Sequence, residues 1–206
     1  MDSFYDKYWK GKKGEDFSDF PIKWPKLAPF IPRQSGLTIL DYGCGDGRSV
    51  EEMTKLNADA SFIGLDVSEI ALEAAKKRLP DLEVHHISDG GAFPLADNSV
   101  DFIYTSEVIE HVYDTRSAFE ELIRVLKPGG RMVMTTPHHG FIKNLLILFW
   151  GFEKHFKPFG AHVRFFTPKS LVDSASSVGF KKVKLTTYGR FYPIPWCMVL
   201  VAEKPK

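Results

Sequence analysis

Three glycines in alternating positions follow a carboxylate near the end of the first apolar run. They are Gly43, Gly45 and Gly47, preceded by Asp41, in the stretch Asp-Tyr-Gly-Cys-Gly-Asp-Gly. Glycine permits a tight turn and lets backbone N–H groups approach a ligand, and a helix that starts behind the turn adds partial positive charge. The spacing departs from the dinucleotide fingerprint G-x-G-x-x-G. A carboxylate beside the turn suits a ligand with an ammonium group rather than a pyrophosphate.

A second carboxylate, Asp66, lies 19 residues after Gly47, at the end of the next apolar run. A carboxylate in that position can accept hydrogen bonds from both hydroxyls of a ribose. The glycine turn taken alone is also compatible with a plain connection between a strand and a helix. Its pairing with Asp66 favours a site for a nucleoside.

Glu107, Glu110 and His111 form the pattern E-x-x-E-H. Side chains three or four residues apart lie on one face of a helical turn, so these three could converge on a hard divalent cation. His111 is also a candidate general base, because the pKa of an imidazole lies near neutrality. In a third interpretation Glu107 orders the pocket, while Glu110 and His111 only make local hydrogen bonds.

Short apolar runs alternate with amphipathic stretches from Leu37 onward. We predict strands over 38–40, 61–65, 82–87, 100–104, 131–135, 181–187 and 196–202, and helices over 48–56, 69–79, 117–126 and 168–178. The alternation predicts an α/β fold with a Rossmann-like, doubly wound and mostly parallel sheet of seven strands, whose last two strands form an antiparallel hairpin at the edge. Ligands of such sheets bind at the carboxyl ends of the strands, where Asp41, Asp66 and 106–112 fall.

Composition and charge limit the class of protein. The 206 residues include 27 Lys and Arg against 26 Asp and Glu, a net charge of +1, so we expect no duplex nucleic acid as partner. Two cysteines are too few for a disulfide framework. The first residues lack the pattern of a signal peptide, and the longest apolar run, 145–150, is far shorter than the ~20 residues of a membrane span. We therefore expect a cytoplasmic protein.

Residues 37–137 resemble the class I S-adenosylmethionine-dependent methyltransferases. The stretch 41–47 matches the first motif of that family closely, and Asp66 stands where its ribose-binding acid stands. Three further segments are similar to the family's segment after the third strand, its run into the fourth strand and its turn before the fifth strand, namely 88–95, 97–103 and 125–130. The likeness continues more loosely over 165–202. It is specific for the cofactor and says little about the acceptor.

The resemblance implies S-adenosylmethionine as cofactor and S-adenosylhomocysteine as product. The backbone of 43–47 would cradle the methionine part, and Asp41 would face its ammonium group. Asp66 would hold the ribose, Val67 would pack on the adenine and Asp89 would take its amine. The cofactor-binding residues predicted in this way are Asp41, Gly43, Cys44, Gly45, Gly47, Asp66, Val67, Asp89, Gly90 and Ser106.

Methyl transfer to a hydroxyl requires alignment of the acceptor and removal of its proton. We assign His111 as the base and Glu107 as a second catalytic residue. The E-x-x-E-H string also looks like the metal motif of small-RNA 3′-terminal 2′-O-methyltransferases and a segment of ubiquinone-pathway O-methyltransferases. Both place a further histidine before the last helix, as His162 is placed here. A metal-assisted alternative would use Glu107, Glu110, His111 and His162 to bind Mg²⁺ or a similar ion, but we favour a site without metal.

Residues 141–152 are apolar on nearly every side, within an insertion at 138–164 where related methyltransferases carry the acceptor cap. Such a helix must be buried, face a lipid or form a partner interface. We favour packing on the domain and on the N-terminal arm. The alternatives are a lipophilic acceptor pocket, a peripheral membrane contact and stacking of single-stranded RNA bases.

The aromatic arm, 1–36, is predicted to close over cofactor and acceptor, the alternative being a helix that merely covers the sheet. The acceptor-binding residues that we predict are Tyr5, Tyr8, Trp9, His138, His139 and Trp150.

We predict one domain over 1–206, composed of the arm, a cofactor-binding core at 37–137, the acceptor-cap insertion, and a C-terminal helix and hairpin at 165–206. The predicted function is methyl transfer from S-adenosylmethionine to a small-molecule or lipid-like acceptor, at oxygen. Two alternatives stay open: a metal-assisted 2′-O- or catechol-type methyltransferase, and a non-catalytic, cofactor-binding partner subunit. The sequence leaves the acceptor and the oligomeric state open.

Overall fold

Seven strands form one sheet in the computed structural model of the chain, which describes all residues except 1–3, 12–19, 157–159 and Tyr192. Those parts of the predicted arm and insertion therefore lie outside the described residues. The strands are β1 Thr38–Tyr42, β2 Ser61–Asp66, β3 Glu83–His86, β4 Val100–Ser106, β5 Leu126–Pro137, β6 Lys181–Tyr188 and β7 Cys197–Glu203.

The sheet has the order β3-β2-β1-β4-β5-β7-β6. Neighbouring strands run parallel except that β7 pairs antiparallel with both β5 and β6. The predicted mostly parallel sheet with an antiparallel hairpin is confirmed. Strand β7, the last along the chain, lies between β5 and β6, so β6 is the edge strand. The strand order reverses between β1 and β4, and ligands of such sheets bind in the crevice at that reversal.

Helices cover both faces of the sheet. They are α1 Phe4–Gly11, α2 Phe20–Leu27, α3 Arg48–Leu56, α4 Glu69–Arg78, α5 Thr115–Val125, α6 Phe141–Trp150, α7 Phe152–His155 and α8 Pro168–Ser177. The helix starts follow from side-chain caps: the Ser68 hydroxyl accepts from the backbone of Ala71, and Thr167 forms a capping box with Ser170 before Pro168.

Two apolar cores lie on the two faces. Helices α5 and α8 bury residues such as Phe119 and Leu171 against one face. Helices α2, α3 and α4 bury Leu27, Met53 and Ala75 against the other face. This doubly covered sheet holds the carboxyl ends of β1, β2 and β4 rigidly beside each other, which is what a binding site there requires.

Two segments differ from the sequence prediction. Strand β5 begins at Leu126, where it pairs with Val100 before a register irregularity, so the segment 127–130 belongs to the strand and not only to a turn. The favoured packing of the apolar segment on the domain is wrong for α6, since none of its ten residues is buried. Apolar side chains on all sides indicate that a helix must be shielded from water by other apolar groups, but the pattern does not identify the molecule that carries them. None of the described helices has the length and composition for crossing a bilayer.

Candidate functional site

A cavity of about 1030 Å³ opens at the carboxyl ends of β1, β2 and β4. The turn after β1 forms its floor, and the turn after β4 forms one wall. Helices α1 and α2 and the segment 160–165 close it from above. Its volume is at the upper end of the ~300–1,000 Å³ of small-molecule sites, enough for two ligands side by side.

The turn after β1 has a backbone that only glycine adopts easily. Gly43, Gly45 and Gly47 have φ of 77°, 54° and 77°, and the backbone N–H groups of Gly43 and Cys44 both donate to Leu65 O, at 2.7 and 3.0 Å. A Cβ on Gly43 would lie 2.2 Å from a methyl carbon of Val108. Gly43, Cys44 and Gly45 line the cavity, whereas Gly47 caps α3 and lies outside its wall.

Asp66 joins this turn to the end of β2. Its Oδ2 accepts from the Gly45 N–H and its Oδ1 from the Ser68 N–H, both at 2.9 Å. Burial raises the pKa of Asp66, and those two N–H groups oppose the rise. The carboxylate still lines the cavity, so its remaining lone pairs can accept from ligand hydroxyls.

Val67 and Asp89 line the same end of the cavity. The Asp89 carboxylate accepts from the Tyr113 N–H at 3.2 and 3.3 Å, which fixes its position. Gly90, with φ of 66°, packs on Asp114 and lies outside the wall. It therefore shapes the loop that presents Asp89 rather than touching a ligand itself.

Asp41 is buried beneath the glycine turn, outside the cavity wall, and its Oδ2 has no hydrogen-bond partner among the described residues. Burial, with repulsion from Asp66 and Asp46, raises its pKa to about 8. A buried carboxyl group without a partner is costly unless a cation approaches. This orphaned oxygen, together with a turn that a Cβ at Gly43 would fill, fits a cofactor that carries both an ammonium group and a nucleoside.

The turn after β4 holds Glu107 in a strained conformation, with φ of 58°. Its Oε1 accepts from the Thr135 hydroxyl at 3.1 Å and from the Cys197 thiol at 2.9 Å. Its Oε2 lies 3.7 Å from Lys23 Nζ. Ser106 joins the same network, with its hydroxyl 2.9 Å from that of Thr135. Three elements thus fix the Glu107 carboxylate at the cavity wall.

His111 follows in the 3₁₀ turn Ile109–His111. Its Nδ1 lies 2.9 Å from Ala161 O, and because a carbonyl only accepts, Nδ1 carries the proton and Nε2 keeps a lone pair. Burial lowers the pKa of His111, so the ring is neutral at pH 7. The imidazole therefore has an acceptor nitrogen for a ligand proton.

Ligand atoms of Glu110, His111 and His162 lie within 4.8 Å of one another. Oε2 of Glu110 accepts from Thr136 at 3.0 Å, while its buried Oε1 has no hydrogen-bond partner among the described residues. Three of the four predicted metal ligands are therefore brought together. Glu107 is outside this group, because its oxygens face Thr135, Cys197 and Lys23.

Tyr5, Tyr8 and Trp9, all on α1, line the cavity, and the Trp9 ring lies against Gly45. The Tyr5 hydroxyl donates to His111 O at 3.4 Å, and burial raises the pKa of Tyr5 to about 12. Helix α1 is also held by Asp6, whose Oδ1 accepts from the Ser68 hydroxyl at 2.7 Å. Helix α1 thus covers the site.

The three other candidate acceptor residues lie outside the cavity wall. His138 and His139 are buried, and His139 packs on His155, which does line the cavity, with ring centroids 5.1 Å apart. Burial lowers the pKa of His139 to about 4. Trp150 lies on α6 and is 79% exposed.

Helix α2 supplies Phe20 and Lys23, two wall residues that the sequence did not single out, beside Trp24 of the predicted aromatic arm. Phe20, Lys23 and Trp24 all line the cavity, and the rings of Phe20 and Trp24 stack at 5.9 Å. Their i, i+3, i+4 spacing is the signal that would have found them. His155 and Phe165 are also in the wall, but their approach depends on tertiary packing and has no local signal.

Comparisons with known proteins agree with this geometry. Residues 33–158 match the family described as Methyltransferase domain. A Mycolicibacterium smegmatis protein named "Probable S-adenosylmethionine-dependent methyltransferase" is 31% identical over 85% of this chain and 60% of its own length. The malonyl-[acyl-carrier protein] O-methyltransferase of a Marinomonas species is 26% identical over 92% of this chain and 71% of its own.

A solved structure from Aquifex aeolicus, described as a SAM dependent methyltransferase, has the same fold, with a TM-score of 0.71 and 20% identity over 98% of this chain and 99% of that one. The chain spans only 32 to 60% of the length of three of the curated relatives that it matches, the M. smegmatis protein among them.

Proposed function

This chain belongs to the class I S-adenosylmethionine-dependent methyltransferases, and on that premise we propose that it transfers the cofactor's methyl group to an oxygen of a small or lipid-like acceptor. The observation that carries the proposal is a neutral His111 with its Nε2 lone pair in a cavity large enough for cofactor and acceptor. An O-methyltransferase among the relatives supports oxygen as the methylated atom.

Residues of one end of the cavity would hold the cofactor. The turn Gly43–Gly45 offers its backbone, Asp66 accepts from the ribose, and Asp89 accepts from the adenine amine. Asp41 lies below the turn and compensates the ammonium charge. When bound, S-adenosylmethionine supplies an electrophilic methyl group.

Residues of the turn after β4 act on the acceptor. His111 removes the proton from the acceptor hydroxyl at Nε2, while Nδ1–H donates to Ala161 O and fixes the tautomer. The Glu107 carboxylate accepts hydrogen bonds from Thr135 and Cys197, so Glu107 is a positioning residue that orders this wall of the cavity. Covering of the cavity by α1 mainly orients the acceptor.

Calorimetric titration with S-adenosylhomocysteine tests the cofactor part. We expect Asp66→Asn to bind about 10- to 100-fold more weakly, because hydrogen bonds to a charged group contribute about 1.5–3 kcal/mol. Asp81→Asn, at an exposed carboxylate, is the matched control and should bind like wild type. Equal affinity of Asp66→Asn and wild type would contradict the assignment.

Transfer of radiolabelled methyl groups into separated lipid and aqueous extract fractions tests the reaction. We expect labelling of one fraction by wild type, and loss of labelling in His111→Gln with S-adenosylhomocysteine affinity retained. Cofactor binding without any labelling would favour the non-catalytic partner subunit instead.

A metal-assisted reaction is the second candidate, favoured by the convergence of Glu110, His111 and His162 and by the unpartnered Oε1 of Glu110. A divalent ion held there would lower the pKa of an acceptor hydroxyl. Titration with Mn²⁺ and Mg²⁺ separates the two: saturable binding that Glu110→Gln abolishes and the exposed-site control Glu120→Gln retains supports the metal. Activity that survives chelation refutes it.

A further inference from the structure

Helix α6 and the residues Phe191 and Trp196 expose large apolar side chains, and we call this set the outer apolar surface. Its exposed aromatic side chains include Phe149, Trp150 and Phe191, at 67, 79 and 74%. A backbone hydrogen bond joins the two parts. The His138 N–H, two residues before the N-cap of α6, donates to Trp196 O at 3.0 Å.

Helix α6 exposes apolar side chains around more of its circumference than a helix that packs on a single core. Seven of its ten residues are exposed apolar side chains, Phe141, Ile142, Leu145, Leu146, Leu148, Phe149 and Trp150. At about 100° per residue they span roughly 200° of the circumference, against the about 100° stripe of a helix that packs on one core. Only Lys143 and Ile147, four residues apart, are half-buried toward the rest of the protein. A groove on a partner protein would cover one face and leave the others in water.

The segments that carry this surface have a positive net charge in the sequence, although the chain as a whole is nearly neutral. The segments 138–164 and 189–196 contain five basic residues, Lys143, Lys154, Lys157, Arg164 and Arg190, and one acid, Glu153. Since the whole chain has a net charge of +1, the remainder carries −3. Arg190 is exposed and lies over the Trp196 ring at 5.8 Å, and with the positive segments it makes the apolar surface complementary to an anionic layer.

An aromatic path joins the outer apolar surface to the cavity. Phe152, the first residue of α7, is half-exposed, and its ring centroid lies 4.9 Å from that of Phe156. Phe156 in turn lies 5.0 Å from Phe165, and both line the cavity. A molecule with an apolar tail can thus lie along this path with its polar end beside His111.

We propose that the outer apolar surface docks the protein on an anionic lipid bilayer, and that the acceptor is an amphiphile taken from that bilayer. The second clause rests on the proposed methyl transfer; the first does not. Aliphatic side chains outnumber aromatic ones on α6, which suits the boundary between headgroups and acyl chains better than the stacking of RNA bases. The helix lies in the interface and does not cross it.

Co-sedimentation with vesicles tests the docking. We expect wild type to bind phosphatidylcholine vesicles that contain phosphatidylglycerol, less so in high salt, and to bind pure phosphatidylcholine weakly. The double variant Phe149→Asp/Trp150→Asp should lower partitioning at least about tenfold, since it removes two large apolar side chains and adds two like charges to those of the lipid. Both positions are exposed, so the fold is retained, and unchanged affinity for S-adenosylhomocysteine verifies it.

Ile22→Asp is the matched control, because Ile22 is 54% exposed on α2, outside the cavity wall. It should partition like wild type. Wild type that stays in the supernatant with both vesicles, or a double variant that sediments like wild type, overturns the proposal. A concentration-dependent dimer that the double variant abolishes, or release from vesicles by single-stranded RNA oligonucleotides, assigns the surface to those partners instead.

The assay distinguishes the two proposals because it needs no cofactor. Vesicle binding by a chain that binds no S-adenosylhomocysteine would refute the methyl transfer alone. Cofactor binding by a chain that ignores vesicles would refute the docking alone.

Discussion

At the scale of single residues, the two carboxyl groups at the end of β1 and β2 behave differently because their partners differ. Asp66 has two backbone N–H donors, whereas Oδ2 of Asp41 has no hydrogen-bond partner among the described residues. With a pKa raised from 3.8 to about 8, Asp41 holds a proton at pH 7 in the folded protein. The charged form is the costly one, so this group lowers the stability of the folded state as pH rises from about 4 to 8.

Binding of a cationic ligand should lower the pKa of Asp41 again. The ammonium group of S-adenosylhomocysteine favours the carboxylate of Asp41, so we expect binding at pH 7 to release up to about one proton. Calorimetry in phosphate and in Tris, which differ in ionisation enthalpy, measures the release. It should disappear in Asp41→Asn, and in wild type at pH 9, where Asp41 is already ionised. Equal binding enthalpies in the two buffers at pH 7 would exclude this coupling.

Residue types and spacing predicted wall residues that follow directly after a strand, but not which residues of the insertion reach the cavity. The glycine turn follows β1 directly and Asp66 ends β2, and the apolar pattern of the sequence fixes where these two strands lie. His138 and His139 follow β5 in the same way, yet both are buried outside the cavity wall, and His139 packs on His155, because the approach of a distant segment decides their surroundings. Nothing in a local pattern reports that approach.

At the scale of elements, the turn between β1 and α3 combines two constraints that can be separated. Gly43 has φ of 77° and faces Val108, whereas Gly36 has φ of 72° with open space around it. We expect Gly36→Ala to cost about 1 kcal/mol, from backbone strain alone. Gly43→Ala should cost about 1–3 kcal/mol more, because its Cβ would collide with Val108.

Thermal unfolding measures this pair. A cost of 1 kcal/mol lowers Tm by about 2–4 °C in a chain of this size. Val108→Ala in the Gly43→Ala background should recover part of the loss, since it removes the methyl carbon that would lie at 2.2 Å. Equal Tm values for Gly36→Ala and Gly43→Ala would show that the close approach is not a constraint.

Helix and strand positions were predictable where a cap or an apolar stripe is local. Ser68 and Thr167 begin α4 and α8 as their types indicate. The early start of β5 was not predictable from the sequence, because Leu126 pairs with Val100 on the neighbouring strand, and that pairing overrides the turn signal of Pro-Gly-Gly. For α6 the pattern identified a helix, but its exposure follows from where the helix stands relative to the sheet.

At the scale of the whole molecule, helix α1 and the sheet are separable. Helix α1 has no buried residue, yet Asp6 and Tyr5 tie it to Ser68 and to the backbone of His111. Deleting 1–11 should therefore leave the free energy of unfolding within about 1 kcal/mol of wild type. We expect S-adenosylhomocysteine to dissociate about tenfold faster, because two hydrogen bonds of the cover are lost.

Stopped-flow displacement measures the dissociation rate, and denaturant unfolding measures stability. Asp6→Ala, which removes the hydrogen bond to Ser68, should give an intermediate rate. A truncated chain that unfolds at much lower denaturant would show that α1 belongs to the core, and an unchanged dissociation rate would show that it is no cover.

Both thiols of the chain lie beside the site: Cys44 in the glycine turn and Cys197 against Glu107. Burial raises the pKa of each thiol, so neither forms the reactive thiolate readily. Alkylating reagents should therefore modify the folded chain slowly. The rate at which Cys197 incorporates a thiol label should record how often the carboxyl end of β5 and the start of β7 open locally.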